Sequence, residues 1–94
     1  MKKKYMTFRD LVWEPHSTLT NIENAYMEFP NGTSISVLRG NSVVGELRVY
    51  CSGGTYEVLA TNPFAARPRW QRGWLKSFQV TNVMRYLQKL EEKI

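Results

Sequence analysis

The residues with the most distinctive chemistry run from Arg67 to Lys76, in the order Arg-Pro-Arg-Trp-Gln-Arg-Gly-Trp-Leu-Lys. Guanidinium and ammonium groups neutralise phosphates and carboxylates, while indole and guanidinium planes stack on unpaired bases. Arg67, Arg69, Trp70, Arg72, Trp74 and Lys76 therefore form the candidate partner-binding set. The same types are enriched at the energetic centres of protein interfaces, so the segment suits a protein target as well as single-stranded nucleic acid. A third reading is structural: Trp70 or Trp74 enters the core and the arginines solvate a loop. Residue types alone leave the three open.

Little else in the chain could do chemistry. His16 is the single histidine, and a catalytic role would require Glu14 or Asp10 to orient it from a polar stretch beside Pro15. Cys51 is the single cysteine, so no disulfide forms within the chain. One His and one Cys also fall short of the ligands that a zinc site takes. Gly53, Gly54 and Gly73 do not have the spacing of a phosphate-binding loop. Glu14, Glu23 and Glu28 are scattered, and Glu91 and Glu92 read as a solvated helix end. Asn31-Gly32-Thr33 matches a glycosylation signal but is better explained as a turn. The expectation is a protein without a catalytic site, metal or cofactor.

These residues need a scaffold, and 94 residues with 43% hydrophobic content fill one core but not two. The division expected is a basic, flexible tail over residues 1–6, carrying Lys2, Lys3 and Lys4, followed by one domain over 7–94. A net charge of +5 favours acidic partners without choosing among nucleic acid, protein and lipid. The lysines lack the apolar stretch of a signal peptide, and no run is long enough to span a bilayer, so a cytoplasmic protein is expected.

Periodicity predicts an α+β fold: a small antiparallel meander sheet of four to five strands packed against one C-terminal amphipathic helix. Thr7 to Trp13 reads as a short strand or extended arm, and His16 to Glu23 as a loop. Ala25 to Phe29 and Thr33 to Leu38 flank Pro30-Asn31-Gly32 and predict a hairpin, with Asn31-Gly32 as a type I′ turn. Leu47, Val49 and Cys51 alternate with polar residues and predict a strand that pairs, across a Ser52-Gly53-Gly54 turn, with Thr55 to Ala60. Asn62 to Gly73 reads as a long loop, and Trp74 to Phe78 as a last short strand. Val83, Met84, Leu87, Leu90 and Ile94 then stripe a helix capped by Thr81, with Arg85, Gln88, Lys89 and Glu92 turned outward.

Several short stretches also resemble a family of small, mostly uncharacterised proteins of bacteriophages and prophages. They are Phe8-Arg-Asp-Leu11, Glu14-Pro-His16, Phe29-Pro-Asn-Gly32, Ser36-Val-Leu-Arg-Gly40 and Tyr56-Glu-Val58. The stretch from Val43 to Tyr50 and the basic segment around Trp70 and Trp74 depart from that pattern. The resemblance implies a non-enzymatic accessory protein that binds a host protein or nucleoprotein complex, as a counter-defence, anti-CRISPR-like inhibitor does. The alternative is direct binding of single-stranded RNA or DNA through a basic aromatic loop. Oligomeric state is left open, a homodimer included.

Overall fold

The computed structural model describes residues 5–17, 21–40, 54–62 and 69–90. Within them a five-stranded antiparallel sheet runs in sequence order, β1 (Glu14–Pro15), β2 (Ile22–Glu28), β3 (Ser34–Gly40), β4 (Tyr56–Thr61) and β5 (Arg69–Leu75), and helix α1 (Ser77–Lys89) follows. This is the α+β meander with a C-terminal helix that periodicity predicts. The core is the inner face of the sheet meeting one stripe of the helix. Ala25, Ile35, Val37, Val58 and Ala60 pack with Val80, Met84 and Leu87. Spacings of two in the strands and of three and four in the helix place these residues on facing surfaces.

The hairpin forms where expected, with a different turn. The Phe29 N–H donates to the Thr33 carbonyl at 2.8 Å and the Gly32 N–H to the Phe29 carbonyl at 3.0 Å, enclosing Pro30, Asn31 and Gly32. Only Gly32 of these takes a positive φ, 92°, so the connection is a longer turn closed by a left-handed glycine rather than type I′. The Asn31 side chain explains the choice. Its amide donates to the Leu87 and Leu90 carbonyls at 2.8 and 2.9 Å, and its oxygen accepts from the Thr33 hydroxyl at 2.7 Å. The turn thereby caps the C-terminus of α1, whose last carbonyls have no partner within the helix. That arrangement occupies both ends of the Asn31 amide and supports reading Asn31-Gly32-Thr33 as a structural turn.

Four expectations change. Thr7 to Trp13 contains a 3-10 turn at Phe8–Asp10 instead of a strand, closed by the Asp10 carboxylate accepting the Thr7 N–H at 2.8 Å. The loop expected up to Glu23 ends earlier, because Ile22 and Glu23 already pair with Gly40 and Arg39. The flanks of β4 are taken by β3 and β5, which replaces the hairpin expected with Leu47 to Cys51. Residues 47–51 themselves lie outside the described residues, as do Lys2 to Lys4, Glu91, Glu92 and Ile94. Finally, α1 begins at Ser77, where the Gln79 side chain accepts the Lys76 N–H at 2.8 Å. Thr81 does not cap it. Its hydroxyl accepts the Phe8 N–H at 3.1 Å.

Gln88, expected to face solvent, is half-buried and holds the start of the described chain. Its oxygen accepts the Met6 N–H and its nitrogen donates to the Met6 carbonyl, both at 2.8 Å. The folded unit thus reaches back to Met6. Phe8, Trp13 and Tyr56 form an aromatic cluster packed against the core, with ring centroids 4.8 to 5.9 Å apart. The Arg39 guanidinium lies 4.1 Å from the Trp13 ring and 2.8 Å from the Glu23 carboxylate. Trp13 is therefore the tryptophan with a packing role.

Candidate functional site

Residues Arg69 to Leu75 form the edge strand of the sheet, so the basic aromatic segment is not the loop its prolines and glycine suggest. Arg67 lies outside the described residues. Thr61 pairs with Arg69, Ala60 with Trp70, Leu59 with Gln71 and Val58 with Arg72. Residues directly opposite one another in a ladder share a face, so Trp70 and Arg72 lie on the helix side of the sheet, and Arg69 and Gln71 on the other. The helix does not cover β5. Trp70 remains 41% exposed, with the Arg72 guanidinium 5.8 Å from its ring centroid.

Register then slips. Tyr56 pairs with Leu75 although Val58 pairs with Arg72, so β5 carries one residue more than β4 between these two pairs. This is a β-bulge, which bends an edge strand and re-aims a side chain. Trp74 sits in it with φ 61°, a left-handed conformation that is costly for a bulky residue, and is 56% exposed. Leu75 beside it is buried and pins the end of the strand in the core. Lys76, exposed, then leads into the helix.

Of the three readings left open, the one in which Trp70 or Trp74 fills the core is thus removed, and both indoles are available at the surface. Arg69, Arg72 and Lys76 make no ion pair among the described residues. Two exposed rings belong to the same region of the chain and escape the sequence reading: Phe78, expected in a strand, and Tyr86, each on the outer surface of α1. Extending the helical period back from Met84 to Val80 would have placed both away from the core.

A second feature lies on the sheet face opposite the helix. Glu14, His16, Asn24, Ser36, Glu57 and Gln71 line a concavity of about 410 Å³. His16 and Glu14 are therefore neighbours in space as well as in sequence. Glu57 is only 7% exposed, and one of its oxygens accepts the Gln71 amide at 2.6 Å. The Asn24 amide donates to the Ser36 hydroxyl at 2.8 Å. Among the described residues no group of His, Cys, Asp and Glu is arranged to hold a metal ion, and no helix is long and apolar enough to cross a membrane. The concavity holds two carboxylates, Glu14 and Glu57, among polar side chains and the apolar Leu38 and Leu59, in contrast to the basic edge beside it.

No protein-family model matches the chain, and neither a curated protein nor a solved structure matches it.

Proposed function

We propose that this is a non-enzymatic binding protein whose contact surface is the β5 edge, and that its target is an acidic surface on a host protein or nucleoprotein complex. One observation carries the reading: Trp70 and Trp74 are 41% and 56% exposed on an edge strand whose cations are unpaired among the described residues. Large rings left in water give up burial free energy that a partner recovers, and tryptophan with arginine is the pairing most enriched where interfaces derive their affinity. Arg69, Arg72 and Lys76 would steer an acidic partner to the edge and set its register. The resemblance to phage-encoded proteins supports a counter-defence inhibitor acting in the host cytoplasm.

Direct binding of single-stranded nucleic acid is the second reading, favoured by the Arg72 guanidinium beside the open Trp70 ring. The acidic face carrying Glu14 and Glu57 would repel a strand that crossed the sheet, which confines this reading to the edge and the helix side.

Affinity capture from a nuclease-treated bacterial lysate, comparing the native chain with a Trp70→Ala/Trp74→Ala variant, tests the proposal. The expected result is a protein retained by the native chain and lost by a variant that remains folded by circular dichroism. Equal retention by both removes the β5 edge as the site. A parallel salt titration with single-stranded RNA, single-stranded DNA and duplex DNA completes the test. Tight, salt-steep binding there, with no protein retained, would replace the first reading by the second.

A further inference from the structure

We infer that the β5 edge binds its target by strand addition, taking an acidic extended segment of a partner protein as a further antiparallel strand. This deepens the proposal above and rests on it. The two edges of the sheet differ. At one, β1 pairs over only Glu14 and Pro15, and proline has no N–H to offer a neighbour. At the other, Arg69 to Arg72 form a regular ladder with β4, and no strand lies on their outer side among the described residues. Alternate backbone N–H and C=O groups of an edge strand point outward and template a new strand. The bulge at Gly73 and Trp74 ends that template.

The side chains choose the occupant. Arg69 and Arg72 lie on opposite faces, so a strand laid along this edge meets one cation on each face, at positions three apart. An acidic residue at every third position satisfies both, with a β-branched or apolar residue between them beside Trp70. A second copy of this chain is disfavoured on the same grounds. Antiparallel pairing of β5 with itself keeps the helices of both copies on one side of the sheet and sets Trp70 against Trp70 or Gln71 against Gln71, which crowds the Arg69 and Arg72 cations of both copies along one seam with no acidic side chain of β5 to offset them. The cations thus favour an acidic strand over a second copy at this edge.

A fluorescent peptide of repeated Glu-Val-Thr units supplies the test, with repeated Lys-Val-Thr units as the charge control. A third peptide repeats Glu-Val-Thr with the valine nitrogen of every unit methylated; valines three apart present their nitrogens to alternate edges, so both edges of the peptide lose donors. Binding is read by anisotropy at about 50 mM salt, where screening between exposed charges is modest. Strand addition predicts binding of the acidic peptide and amide chemical-shift changes centred on Arg69 to Arg72. It also predicts weakening by about tenfold or more on methylation, as several backbone hydrogen bonds are lost. Arg72→Glu should weaken binding at least about fivefold, and repeated Lys-Val-Thr should not bind.

Equal binding of the methylated peptide would overturn strand addition while leaving an acidic-surface contact at β5 intact. Failure of the acidic peptide to bind, or shifts confined to other elements, would overturn the inference as well. Sedimentation showing a dimer that Trp70→Ala abolishes would assign the edge to a second copy instead. The lysate comparison of the Trp70→Ala/Trp74→Ala variant stands apart from these peptides, so the wider proposal can fail or survive separately.

Discussion

Trp74 offers a test that reads backbone conformation and side-chain role separately. Its φ of 61° costs a residue with a Cβ roughly 1–2 kcal/mol that glycine does not incur. Trp70, in the same strand, has no positive φ, and glycine at such an extended position is about 0.5–1 kcal/mol worse than alanine. Alanine and glycine variants of either residue lose the same indole, so the difference within each pair isolates the backbone. At Trp70 the glycine variant should be the less stable by about 0.5–1 kcal/mol. At Trp74 the left-handed penalty outweighs glycine's entropy cost, and the glycine variant should be the more stable by about 0.5–1 kcal/mol. The two differences have opposite signs. For a domain of this size, each corresponds to roughly 2–8 °C in Tm. Urea and thermal unfolding of the four variants, followed by far-ultraviolet circular dichroism, would measure both pairs. If glycine is the weaker variant at both positions, the bulge is not held in solution, and the argument that it aims Trp74 outward falls. If the signs oppose and Trp74→Gly still loses the target, then a conformation that costs stability is retained for a side chain that binds.

The scaffold gives three further expectations. Asn31→Ala removes two donors from the last carbonyls of α1 and should cost about 2–3 kcal/mol in urea unfolding. Asn31→Asp should be at least as damaging at neutral pH, since it sets a carboxylate against the negative end of the helix. Gly40 has φ 120°, and a Cβ there would collide with the Asn21 carbonyl oxygen, so Gly40→Ala should lose at least about 2 kcal/mol by thermal unfolding. Gln88→Ala should speed amide exchange at Met6 while leaving exchange in β2 to β4 unchanged, because the paired Gln88 bonds hold only the start of the described chain.

The parts of the fold legible in the sequence are those with one face dry and one wet. Ala25, Met27, Ile35, Val37, Val58 and Ala60 alternate because the helix covers one side of β2 to β4. Val83, Met84 and Leu87 recur at helical spacing for the same reason. Where the constraint was instead a hydrogen bond across the fold, residue type misled. Thr81 looks like a helix cap and serves the Phe8 N–H, while Asn31 looks like a type I′ turn residue and serves the far end of the helix. A sequence window holds one end of such bonds and not the other.

The β5 strand was missed for a different reason, and that reason bears on function. Arg69, Trp70, Gln71 and Arg72 are all exposed, so neither side of the strand carries the alternation that marks a half-buried strand. The strand forms because β4 pairs with it and Leu75 anchors its end, although its own pattern is that of a loop. An edge exposed on both faces gains little from its side chains in the isolated chain. Tryptophan is an expensive residue to leave at such a place unless burial comes later, and three cations nearby do nothing for the core. The conflict between local pattern and adopted structure is thus concentrated in the segment proposed to meet a partner. That is where a functional demand, rather than a folding one, would be expected to decide the residues.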